Sequence, residues 1–105
     1  MGELDGTWKV ERLGGALPPL PGCVKRISGT SGTTHFAVGP GLPFDVDGCE
    51  LHYRAPFGAF VDRLEPGRDG DYLGRALLLG REFGRFAMRR IDDAEPRTRQ
   101  AGPPV

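Results

Sequence analysis

Apolar and polar residues alternate along this chain in short runs from Gly6 to Ile91, and turn residues close each run after roughly eight to twelve positions. A period of two sends successive side chains to opposite faces of a strand. The runs are "TWKVERL" (7–13), "CVKRIS" (23–28), "TTHFAV" (33–38), "FDV" (44–46), "CELHYR" (49–54), "FGAFVDRL" (57–64), "DYLGRALLL" (71–79) and "FGRFAMRRI" (83–91). In the first, Trp8, Val10 and Arg12 share a face, with Lys9 and Glu11 on the other. The links are turn-forming: the proline-rich "ALPPLPG" (16–22), "GTSG" (29–32), "EPGRDG" (65–70) and Gly80-Arg81-Glu82. Asp47-Gly48 is the strongest hairpin signal, with both residues at the positive φ that a type I′ turn requires. No run carries apolar residues at helical spacing with caps at its ends. A meander of this kind closes naturally into a barrel, which removes its own sheet edges. The pattern therefore predicts an all-β fold, a single antiparallel up-and-down β-barrel of about seven to eight short strands within residues 1–91. The remainder, "DDAEPRTRQAGPPV" (92–105), has no apolar period and reads as a disordered C-terminal tail.

One segment admits a second reading. In "YLGRALLLGREFGRFAMRRI" (72–91), Arg81, Arg85 and Arg89 are spaced four apart and would form the basic face of a helix. Gly74, Gly80 and Gly84 would each cost that helix roughly 1 kcal/mol relative to alanine. A closing hairpin is favoured instead, with Phe86, Met88 and Arg90 on one face and Arg85, Arg89 and Ile91 on the other.

Composition narrows the picture. A chain of 105 residues makes one domain with a modest core. Its 17 glycines and 10 prolines accompany apolar residues spread along the whole barrel region, as in a turn-rich folded domain. Basic and acidic residues balance at 14 each, so no overall field draws the chain to nucleic acid or to an anionic membrane. The arginines interleaved with aromatics in the last two strands could face single-stranded nucleic acid, but Asp92, Asp93 and Glu95 offset them. No apolar stretch has the length of a signal peptide or a membrane span, and a cytoplasmic location is expected. Cys23 and Cys49 then read as reduced thiols.

Three features carry a family resemblance. Gly6-Thr7-Trp8 opens the first strand, Gly70-Asp71-Tyr72 precedes the penultimate one, and the final strand ends in Arg89 and Arg90. Together they resemble the lipocalin-like, or calycin, superfamily of small β-barrels. The resemblance implies that Trp8 plugs the closed end of the barrel and that an arginine from the last strand packs across it. Alternation selects Arg90 for this role, with Arg89 as the other candidate. The resemblance also implies a small apolar ligand held in the barrel.

Candidate site residues fall into two groups. Phe36, Phe44, Tyr53, Phe60, Phe86 and Met88 would line the interior, and an inward Arg75 or Arg12 would meet a carboxylate or other polar group of the ligand. The open mouth is expected opposite Trp8, near "GPGLPF" (39–44) and "RAPFG" (54–58). Acid-base chemistry could come from His52, flanked by Glu50 and Arg54, or from Tyr53. Two registers are open for that strand. Leu51 and Tyr53 inside would leave His52 in solvent, whereas the opposite register would place His52 with Glu50 in the barrel. No metal-ligand spacing, phosphate loop, nucleophile elbow or cofactor fingerprint occurs, and no cofactor or metal is expected.

The leading expectation is therefore binding of a small, mainly apolar molecule by a monomer or homodimer. A barrel enzyme of isomerase, cyclase or decarboxylase type, using His52 or Tyr53, is the alternative. A protein-binding or inhibitor barrel comes third.

Overall fold

A computed structural model describes residues 3–91, and the tail expected at 92–105 lies outside them. Eight strands run in chain order: β1 (Gly6–Gly15), β2 (Val24–Ser28), β3 (Ser31–His35), β4 (Leu42–Asp47), β5 (Glu50–Tyr53), β6 (Phe60–Pro66), β7 (Tyr72–Leu78) and β8 (Arg81–Arg90). Each pairs antiparallel with its neighbours in sequence, and β8 returns to pair with β1, so the sheet is a closed up-and-down barrel. Among the described residues no helix is long and apolar enough to cross a membrane.

The period-two alternation decides which residues point inward. Trp8 and Val10 of β1, Ile27 of β2, Phe44 of β4, Leu51 of β5, Leu64 of β6, Ala76 of β7 and Phe86 and Met88 of β8 are all buried. They form one continuous core. Two bulges interrupt the ladder. One sets Leu13 out of register against β8, between Arg12 and Gly14, and the other makes Phe83 the extra residue opposite β7.

The glycines of the last hairpin serve the sheet directly. A Cβ on Gly74 would lie 2.2 Å from the Phe86 ring, and one on Gly84 would lie 2.3 Å from Leu17. These positions seat large side chains against bare backbone, which explains why the segment is rich in glycine although it is extended.

Several boundaries differ from the alternation pattern. The third strand begins at Ser31, inside the "GTSG" turn, and Phe36 to Val38 fall in the following loop. Short two-residue hairpin turns account for this, because Ser28 pairs directly with Ser31. The β4–β5 turn is Gly48-Cys49 rather than Asp47-Gly48: Asp47 still pairs with Glu50, and only Gly48 takes positive φ, at 63°. The β7–β8 turn is Leu79-Gly80, with φ of 53° and 81°, so the positive-φ pair lies one residue earlier than Gly80-Arg81-Glu82 predicts.

The start of β1 and the end of β8 close one end of the barrel. Trp8 is fully buried, its Nε1 donates to the Leu4 carbonyl at 2.8 Å, and its ring meets Tyr72 edge-on at 5.5 Å. The Arg90 guanidinium lies 4.2 Å from the centre of the Trp8 ring and donates to the carbonyls of Asp5 and Glu3. A cation on the electron-rich face of an indole is a favourable pairing, and the two carbonyls orient the guanidinium over it. Arg89 points away, 3.7 Å from Asp71 on the outside.

Candidate functional site

The other end of the barrel is formed by the β1–β2, β3–β4, β5–β6 and β7–β8 connections. There the interior widens into a cavity of about 250 Å³. Leu17 and Leu20 reach it from the proline-rich link, Phe36 from the β3–β4 connection, Leu42 from the start of β4, and Phe57 and Phe60 from the β5–β6 side. Val10, Ala76, Leu77, Phe83 and Phe86 complete its apolar wall. Edge-on aromatic contacts, Phe60 to Phe83 at 6.0 Å and the tilted Phe57 to Phe60 at 6.4 Å, hold one side of the mouth.

A buried polar cluster completes the lining. Lys25 of β2, Thr34 of β3, Tyr53 of β5 and Asp62 of β6 converge across the barrel interior and face the same cavity. The Lys25 ammonium is 3.0 Å from Asp62 Oδ2 and donates to Thr34 Oγ1 and to the Tyr53 hydroxyl, each at 2.7 Å. Tyr53 donates to Asp62 Oδ2 at 2.9 Å, and the Thr34 and Tyr53 hydroxyls are 2.8 Å apart. Three rings, those of Phe44, Tyr53 and Phe86, surround Lys25 Nζ with centres 5.4 to 5.6 Å away.

Electrostatics keep the lysine charged. Burial acts to strip its proton, but the Asp62 carboxylate and the Tyr53 hydroxyl outweigh that cost, and its pKa lies above the ordinary 10.5. Burial also pushes the Tyr53 phenol above its ordinary 10.0, against the pull of Lys25. The Cys23 thiol, another lining group, is pushed up by burial as well. Lys25 and Tyr53 thus hold their protons more tightly in the folded chain than in the unfolded one. Above about pH 10 the folded state binds more protons, so stability falls as pH rises through this window. The urea midpoint should stay level up to about pH 9 and drop steadily towards about pH 11.5. A midpoint that held or rose across that range would contradict the arrangement.

The residues singled out from sequence divide sharply. Phe36, Tyr53, Phe60 and Phe86 line the cavity. Phe44 and Met88 are fully buried in the core but are not part of the cavity wall. Two placements are corrections. Arg75 stands on the outer face, 3.9 Å from Glu82, because its neighbours Gly74 and Ala76 take the inward positions of β7. Arg12 folds over the end of β1 and donates to the carbonyls of Gly15 and Leu17. His52 and Glu50 are also outside, 3.0 Å from one another, with Glu50 shared by Arg63. Leu51 and Tyr53 take the interior of β5, and that register puts His52 in solvent.

Sequence reasoning missed Lys25, Thr34 and Asp62. A signal was present: Lys25 stands between Cys23 and Ile27 at two-residue spacing, and Asp62 between Phe60 and Leu64. Alternation puts each charged residue on the face of those apolar neighbours, but Arg75 between Leu73 and Leu77 has the same spacing and faces outward, so the signal is a weak one. Among the described residues no group of three or more His, Cys, Asp or Glu is placed to hold a metal ion.

The chain is thus an eight-stranded antiparallel barrel, plugged at one end and holding an apolar cavity with a buried Lys-Asp-Tyr-Thr cluster at the other. No protein-family model, curated protein or solved structure matches it significantly.

Proposed function

We propose that this protein is a lipocalin-like barrel that binds a small, mainly apolar molecule. The observation that carries the reading is the 250 Å³ cavity, apolar around most of its wall and polar at one place. Ligand sites have this form: apolar surface supplies affinity, and a few polar groups set orientation. A dry apolar cavity of about 150 Å³ accommodates benzene. The larger volume here suits one ring with a short chain or a compact two-ring molecule. Gly6-Thr7-Trp8 at the plugged end, with Arg90 over the indole, supports the calycin-like assignment.

The full-length chain, purified without denaturation from the cells that make it, should show retained small-molecule mass in a native mass spectrum. A clean apo spectrum would count against binding. The alternative, a barrel enzyme, draws on Tyr53, whose hydroxyl lies in the cavity beside the Lys25 ammonium. Its sign in the same experiment would be conversion of the retained mass into a second species on incubation.

A further inference from the structure

Counting protons in the buried cluster defines the polar end of the ligand. Lys25 has three N–H donors, and Thr34, Tyr53 and Asp62 take all three. Tyr53 gives its only proton to Asp62, so the contact between the two hydroxyls is made by the Thr34 proton. The Tyr53 oxygen then accepts from both Lys25 and Thr34. Every donor of the four side chains is used inside the cluster. What is left over is acceptor capacity: one lone pair on Thr34 and the whole of Asp62 Oδ1, to which no described residue donates. Asp62 is 6 % exposed and lines the cavity, and a buried carboxylate oxygen is costly without a donor. Besides the cluster, the lining side chains contribute only the Cys23 thiol, a weak donor.

Charge points the same way. Lys25 and Asp62 cancel, and Arg12 and Arg75 are engaged outside the cavity. A ligand carboxylate would meet no free cation among the lining residues and would approach Asp62 with like charge.

We infer that the molecule held in this cavity presents a hydrogen-bond donor, a hydroxyl or N–H group, to Asp62 and carries no carboxylate. This rests on the small-molecule-binding reading above and specifies its ligand class.

The test is a calorimetric panel on the full-length protein with four molecules of similar size: 4-propylphenol, 4-propylanisole, 4-propylbenzoate and propylbenzene. The phenol should bind about tenfold or more tightly than the anisole, in which a methyl group masks the donor, as a bond to a charged acceptor implies. The benzoate should bind most weakly. Equal binding of phenol and anisole, or tightest binding of the benzoate, would overturn the donor assignment while leaving the binding function intact. If none of the four bound, both readings would fall. In the double variant Lys25→Met with Asp62→Leu, the preference for phenol over anisole should vanish. A preference that persisted there would show that Asp62 is not the acceptor.

Discussion

Replacing Lys25 alone with methionine should lower stability by about 3 to 5 kcal/mol, the cost of leaving a buried carboxylate without its partner. For a domain of this size each kcal/mol is worth about 4 to 8 °C in melting temperature, so the variant should melt some tens of degrees lower or fail to fold at room temperature. Adding Asp62→Leu should reverse most or all of the loss. The pair would then be replaced by apolar groups among Phe44, Phe86 and Leu64, and such exchanges are often neutral or stabilising. Tyr53 and Thr34 would still bond to one another, since their hydroxyls already lie 2.8 Å apart. Thermal melts of wild type, single and double variants test this directly. A single variant as stable as wild type would mean that the ion pair is not buried as described. A double variant no better than the single would show that the cluster has further structural work. If the double variant is stable, the barrel does not need the ion pair in order to fold.

The second large effect is expected at the opposite end. Trp8→Ala should cost about 3 to 5 kcal/mol, because a fully buried indole leaves a void and takes with it the contact to Tyr72 and the bond to Leu4. Arg90→Ala should cost less, about 1 kcal/mol, since the guanidinium is solvent-exposed. Lysine at position 90 should recover only part of that loss: a single ammonium cannot both lie flat on the indole and reach the carbonyls of Glu3 and Asp5. Chemical denaturation of the three variants gives the ranking. Equal losses for Trp8→Ala and Arg90→Ala would contradict it.

The barrel itself was legible because alternation is a local property. Trp8 and Val10, and Phe86 and Met88, each fall on an inward face that two-residue spacing identifies without knowledge of neighbours, whereas for Leu51 and Tyr53 the spacing left both registers open and the structure decided it. Turn positions slipped by a residue where the chain could choose between glycine and the residue beside it, as at Gly48 and at Leu79-Gly80. The polar cluster was harder for a different reason. Along this run Cys23, Lys25 and Ile27 share one face and Val24 takes the other, and apolar residues on both sides do not say that the lysine's face is the inward one. What makes its burial tolerable is Asp62, on a strand four places further along, together with Tyr53 between them. A partnership between distant strands leaves no trace in the spacing of either one. Arg75 illustrates the converse: its run suggests an inward arginine, but Gly74 and Ala76 take the inward positions, and bare backbone at Gly74 makes room for the ring of Phe86.

The Arg90 clasp also bears on how the molecule assembles. Trp8 is the only tryptophan in the chain, and its partner stands at the end of the last strand. Seven of the strand pairings join neighbours in sequence, whereas the pairing of β1 with β8 closes a loop that spans the whole barrel. Non-local pairings of this type set the slow, millisecond-to-second timescale of β-rich domains. Indole fluorescence should therefore follow, without any label, the packing of Tyr72 and Arg90 around Trp8 as the barrel closes.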